Sequence, residues 1–230
     1  MKQLFVWTGA VLFVASLSAF VVFYGIVWDR PSNAAAVFAI FIALYDIALF
    51  SVFALHHSAM ARSGAKHWIA RVVPAELERS VYVWISSLLF LAVLWMWEPM
   101  PGTAWEATGA TMWGLRLGQL LGLWLTLRSA AVLDIMELNG VRQLNRKTRP
   151  VEFTVAGPFS LVRHPIYLGW ILLVFGAPLM TVTRLVFAAV SSAYLIIAIP
   201  WEERSLVESF GERYRTYQKQ VKWRLLPWVW

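Results

Sequence analysis

Leu4–Val27 carries no charged residue and is apolar along its whole length. A helix over that run would reach ~36 Å, enough to cross a ~30 Å hydrocarbon core. It is long for a signal peptide and lacks a small-residue cleavage site, so it reads as a first transmembrane helix closed by Trp28-Asp29-Arg30-Pro31. Three similar runs follow: Ala34–Leu55, interrupted only by Asp46; Val81–Trp97, closed by Glu98-Pro99; and Trp113–Leu133. In the last, Gly114, Gly118 and Gly122 recur every four residues on one face, which permits close helix contact. Composition agrees: 14% of the residues are charged and 60% are hydrophobic. A soluble domain carries roughly 25% charged residues, so a soluble, disordered or disulfide-stapled secreted chain is excluded. With no cysteine, any thiol chemistry must come from a substrate.

Ile166–Ile199 is too long for one crossing, since a single helix would reach ~50 Å. Pro178 lies mid-way and Thr181-Val182-Thr183-Arg184 follows, so two helices in a hairpin are predicted. That makes six crossings. Lys2, Arg62, Lys66, Arg71, Arg79, Arg128, Arg142, Arg146, Lys147, Arg149, Arg163 and the tail fall on one side; Arg30, Arg116 and Arg184 fall on the other. The positive-inside rule then puts both termini in the cytoplasm. The net charge of +7 is read as this bias plus attraction to anionic membrane lipid, not as nucleic-acid binding. In Glu202–Val221, the apolar residues Leu206, Val207, Phe210, Tyr214, Tyr217 and Val221 keep helical spacing. The expected fold class is therefore an all-α polytopic membrane bundle with a cytoplasmic amphipathic C-terminal helix. The chain reads as one domain, 1–230. Residues 1–133 supply four transmembrane helices, and 134–230 a loop, the hairpin and the tail. Oligomeric state is not readable.

Ionisable groups within or beside membrane spans are expensive and are functional candidates by default. Asp46 is one. His56-His57 closes the second span; two histidines without a third ligand are a weak metal signal, so no metal is expected. Asp134 and Glu137 share a helical face, with Arg142-Gln143 a turn later. The densest cluster is Arg163-His164-Pro165-Ile166-Tyr167-Leu168-Gly169. Pro165 suits the first helical position, which puts Arg163 and His164 at a helix N-terminus able to favour an anionic group. If the hairpin forms, Glu202-Glu203 returns to the same membrane side. An anion site and a cation site would then lie close together, suited to a zwitterionic ligand.

Arg-His-Pro-x-Tyr-x-Gly, a hairpin of apolar residues, and Glu-Glu-x-x-Leu-x-x-x-Phe-Gly-x-x-Tyr-x-x-Tyr over Glu202–Tyr217 form a two-part motif. It resembles the superfamily of isoprenylcysteine carboxyl methyltransferases (ICMT), phospholipid methyltransferases and NnrU-like proteins. Within it, Phe53–Arg62, Glu78–Val83 with Ser86-Ser87-Leu88, Asp134-x-x-Glu137-Leu138 and Gly140-x-Arg142-Gln143 resemble the membrane methanethiol S-methyltransferases, which form dimethyl sulfide. The resemblance implies S-adenosylmethionine as cofactor and S-adenosylhomocysteine as product, bound without a Rossmann fold. By position, Gln143, Phe153, Thr154, Phe159, His164, Tyr167 and Glu202 would contact it. Glu202 would take the amino group, His164 and the helix end the carboxylate, and Phe153 and Phe159 the adenosine. Arg163, Pro165, Gly169 and Glu203 complete the motif set. Ala198-Ile199-Pro200-Trp201 replaces the acidic residues and arginine of prenylcysteine enzymes, which agrees with a small neutral acceptor.

The implied reaction moves methyl from a sulfonium to a small thiol: methanethiol to dimethyl sulfide, or hydrogen sulfide to methanethiol. The thiolate is the reactive form, so a base is expected. His56 or His57 is the first candidate, then Asp46, then Asp134 or Glu137; Arg142 would lower the thiol pKa or orient Glu137. Trp201 and Tyr167 are candidates for cation–π contact with the sulfonium. The competing readings are methylation of a lipid or prenylated-cysteine carboxyl, a non-catalytic NnrU-like membrane protein, and a transporter. The expected location is a bacterial cytoplasmic membrane, with the cofactor site facing the cytoplasm.

Overall fold

The computed structural model describes residues 1–33, 35–60, 73–74, 76–133, 141 and 155–230. Its helices are α1 (Lys2–Gly25), α2 (Ala39–Met60), α3 (Glu78–Met96), α4 (Gly109–Val132), α5 (Pro165–Phe175), α6 (Val182–Phe210) and α7 (Glu212–Gln220). Two short strands, β1 (Thr103–Glu106) and β2 (Leu179–Thr181), pair as a ribbon. The all-α expectation missed this ribbon, because strands of four and three residues are too short to show alternation. Four helical stretches are long and apolar enough to cross a membrane: Lys2–Asp29, Ala36–Met60, Glu78–Met96 and Val182–Phe210. Helix α4, expected as a crossing, has the length but is not among them; Arg116, Gln119, Arg128 and its glycines dilute its apolar character. At 11 residues, or ~16 Å, α5 is too short to span alone.

Two compact units are present. The described residues of the first come from Met1–Ala104 and Thr181–Phe187, with Val141. Here α3 packs against both α1 and α2. The α3 stripe Val83, Ser87, Phe90 and Leu94 is buried at three- and four-residue spacing. Trp84 donates its indole N–H to Phe5 O at 2.9 Å, and its ring lies where a Cβ on Gly9 would stand, 2.8 Å away. By contrast, α1 and α2 expose Leu4, Val11, Val21, Phe41, Val52 and Leu55, as helices apolar all round do in lipid.

The Thr181-Val182-Thr183-Arg184 segment ties this unit's ends together. Thr181 donates its hydroxyl to Trp28 O at 2.8 Å, and Thr183 Oγ accepts the Met100 N–H at 2.8 Å. Arg184 donates to Tyr24 O at 2.7 Å and Gly25 O at 3.0 Å. Those carbonyls belong to the last turn of α1, so the guanidinium caps the helix. Phe187 is wholly buried among Phe20, Tyr24, Trp28, Phe50 and Trp97, with ring centroids 5.1–6.0 Å away.

The second unit comprises described residues of Trp105–Ile135, Pro150–Met180 and Ala188–Trp230. Its tightest contact is α4 on α5. A Cβ on Gly122 would stand 2.5 Å from Gly169 O and 2.7 Å from Leu173 N; one on Gly169 would collide with Thr126 Oγ1. Gly122 therefore does what the glycine spacing predicts, whereas Gly114 and Gly118 have nothing within 4 Å. The region Ile166–Ile199 is two helices, as expected, broken at residues 176–181. Their antiparallel pairing is carried by Trp170 Nε1–H donating to Ser191 Oγ at 3.0 Å and by the contacts of His164 and Tyr167 with Glu202-Glu203.

The expected helix Glu202–Val221 is instead two pieces. Helix α6 runs through Pro200 to Phe210, Gly211 turns the chain with φ 57°, and α7 starts at Glu212. A positive φ is readily open to glycine. The turn folds Tyr214, Tyr217 and Val221 onto Leu206, Val207 and Phe210, so the predicted apolar stripe closes on itself.

Candidate active site

The chemistry of the second unit gathers at the N-terminus of α5. Pro165 occupies the first helical position, where its missing N–H is harmless. Before it, Arg163 N–H donates to Trp223 O and His164 N–H to Arg224 O, both at 2.9 Å, so the tail lies alongside as an added strand-like segment. The Arg163 side chain donates from Nε to Glu203 Oε1 at 2.6 Å and from Nη1 to Val221 O and Lys222 O at 2.7 and 2.8 Å. Tyr217 donates its hydroxyl to Phe159 O at 2.7 Å. Burial pushes the Tyr214 and Tyr217 phenols up, so they act as neutral hydroxyls.

The two adjacent glutamates divide their roles. Glu203 is buried, with its side chain 6% exposed, and Arg163, His164, Arg224 and Gln218 converge on it. Arg224 Nε lies 3.3 Å from Oε2, His164 Nε2 3.3 Å from Oε1, and Gln218 Nε2 3.4 Å from Oε2. Glu202 keeps 42% of its side chain exposed. Its Oε2 accepts the Tyr167 hydroxyl at 2.6 Å and faces His164 Nδ1 at 3.6 Å. His164 thus sets one ring nitrogen toward each carboxylate while stacking on Tyr167 at 5.3 Å. The second oxygen, Glu202 Oε1, has no partner among the described residues. This is a half-open carboxylate on a rigid base, suited to a cationic amino group.

The expected anion site is less open. Tyr167 N–H and Leu168 N–H both turn back to His164 O at 3.1 Å, so these first-turn donors are committed within the helix. Gly169 lies in the α4–α5 contact. Phe159 is half-buried in a one-turn helix, and Trp201 is exposed. Asp134, Glu137, Arg142, Gln143, Phe153 and Thr154 lie outside the described residues.

In the first unit, the Tyr82 hydroxyl sits 2.9 Å from His57 Nδ1 and 3.1 Å from Nε2, with the Arg79 guanidinium 4.7 Å over the Tyr82 ring. His56 differs: its Nδ1 is buried without a hydrogen-bond partner among the described residues. Asp46, fully buried, accepts Glu98 N–H on Oδ1 at 3.0 Å, and its Oδ2 has no hydrogen-bond partner among the described residues. Among the described residues no three His, Cys, Asp or Glu side chains gather as a metal site would require.

Sequence reasoning missed Arg224 and Gln218. Gln218 lies on the polar helix α7 and Arg224 in the segment after it, where single polar residues carry no periodic signal.

The family description for phospholipid methyltransferases matches residues 110–213. A methanethiol S-methyltransferase of Crocosphaera subtropica is 37% identical over 198 residues, covering 81% of this chain and 75% of the relative. One of Pseudomonas deceptionensis is 39% identical over 196 residues, covering 80% and 72%. A nurim of Xenopus laevis is 29% identical over 168 residues, covering 65% and 57%. No solved structure matches the chain.

Proposed function

The chain belongs to the methanethiol S-methyltransferase family, and from that membership we propose that it is a membrane enzyme that methylates a small thiol with S-adenosylmethionine. Methanethiol is the acceptor we favour, giving dimethyl sulfide. The observation that carries the donor assignment is Glu202, held by Tyr167 and His164 with one oxygen uncommitted. S-Adenosylmethionine, when bound, supplies a methyl group activated by its sulfonium. Glu202 would hold its amino group. Glu203 would fix the site's frame by pinning Arg163, His164 and Arg224. Phe153 and Phe159 would flank the adenosine, with Gln143 and Thr154 as further cofactor contacts. Trp201 and Tyr167 are the aromatic candidates for cation–π contact.

The chain's remaining task is to align the thiol and take its proton. Alignment alone contributes on the order of 7–11 kcal/mol by effective molarity. Of the base candidates we favour His56, because its buried Nδ1 is uncommitted while His57 faces Tyr82. Asp46, Asp134 and Glu137 are the alternatives, with Arg142 as a charge that favours the thiolate. We also extend the reading to topology: six crossings counting α4 and the α5–α6 pair, both termini and the donor site facing the cytoplasm of a bacterium, and lipid around the apolar faces.

The test is headspace gas chromatography of the purified chain with S-adenosylmethionine and methanethiol. Dimethyl sulfide is expected from wild type, with large losses in Glu202→Gln and His56→Ala. Binding of S-adenosylhomocysteine without dimethyl sulfide would sink the acceptor assignment. The phospholipid methyltransferase match over 110–213 favours one second reading, a lipid acceptor; methylated lipid under those conditions would support it.

A further inference from the structure

The donor site has a cation that the two-part motif does not contain. Arg224 lies beyond α7, and its backbone carbonyl accepts the His164 N–H at 2.9 Å, which fixes it beside the α5 N-terminus. Its side chain is 31% exposed. Its Nε faces Glu203 Oε2 at 3.3 Å, and the guanidinium lies 5.3 Å over the Trp230 ring. No hydrogen bond or ion pair among the described residues engages its two terminal nitrogens. Several neighbouring donors are committed: Arg163 Nε and Nη1 to Glu203, Val221 O and Lys222 O, and Tyr167 and Leu168 N–H to His164 O. A zwitterionic amino acid moiety placed with its amino group on Glu202 needs a cation for its carboxylate. Arg224 is separated from Glu202 by one shared set of neighbours: Glu203 touches Arg224 and His164, and His164 faces Glu202.

We propose that Arg224 is a binding residue for the α-carboxylate of the methyl donor, paired with Glu202 for the amino group. This rests on the S-adenosylmethionine reading above. Guanidinium and carboxylate match in planar, two-point geometry, so the two terminal nitrogens suit this ligand group. The Trp230 ring and Glu203 hold the guanidinium in place, which limits the ordering cost of binding.

The experiment is calorimetric titration of the detergent-purified full chain with S-adenosylmethionine and with its decarboxylated analogue. Wild type is expected to prefer S-adenosylmethionine. In Arg224→Met its affinity falls roughly 10- to 100-fold, the weight of one or two charge-assisted hydrogen bonds, while affinity for the decarboxylated analogue holds within about twofold, so the preference disappears. Arg224→Lys keeps a positive charge near Glu203 and should retain part of the preference. Equal weakening of both ligands in Arg224→Met would overturn the proposal and make Arg224 a scaffold residue. So would unchanged affinity for S-adenosylmethionine. Wild-type chain that binds neither ligand would overturn the donor reading itself, and this proposal with it.

Discussion

Replacing Glu203 by leucine removes a carboxylate on which four side chains converge. The Glu203 and Arg163 side chains are 6% and 7% exposed, so the variant leaves a guanidinium buried without its counter-charge. Breaking a buried pair from one side typically costs ~3–5 kcal/mol. Arg163 keeps hydrogen bonds to Val221 O and Lys222 O, which places this case near the lower bound, about 3 kcal/mol. Arg163→Met alone leaves the Glu203 charge with Arg224 and His164, and a smaller loss is expected. The double variant should be less destabilised than the sum of the singles, because neither charge is then stranded. Equilibrium unfolding in mixed detergent–dodecyl sulfate micelles gives the three free energies, and proteolysis reports whether the 221–230 tail has detached. If both single changes cost under about 1 kcal/mol and add, the pair is behaving as a solvated surface bridge and the reasoning is refuted.

Two further outcomes can be checked in the same assay. Gly122→Ala should cost ~1–3 kcal/mol or more because its Cβ meets Gly169 O and Leu173 N, whereas Gly114→Ala, with open space around it, should be neutral or stabilising. Arg184→Met should cost ~1.5–3 kcal/mol by uncapping Tyr24 O and Gly25 O, visible as faster amide exchange over the last turn of α1.

The apolar helices were legible because a membrane span needs only length and few charges; α1, α2 and α3 meet both conditions. Pro178 and the polar stretch after it announced the break between α5 and α6. The separate tail helix expected from Glu202 did not appear at that point, since α6 absorbs Pro200 and runs ten residues further. The division between Glu202 and Glu203 was hidden for a geometric reason. Neighbours on a helix point about 100° apart, and the sequence does not tell which of the two faces inward. That direction is set by the fold-back at Gly211 and by the tail segment at 221–224, whose pairing with Arg163 and His164 leaves no local pattern. Glu202 was identified from the motif. Its uncommitted oxygen comes from the fold.

The brevity of α5 bears on how the chain is made. Eleven apolar residues are half of what the insertion machinery takes as a span. The segment carrying Arg163, His164 and Tyr167 therefore does not enter the bilayer on its own hydropathy. In the fold it is held by α6, through Glu202 and Glu203, and by α4, whose Gly122 meets Gly169. A chain that stops before α6 leaves Arg163, His164 and Tyr167 without the two carboxylates they contact, however complete the motif ahead of them.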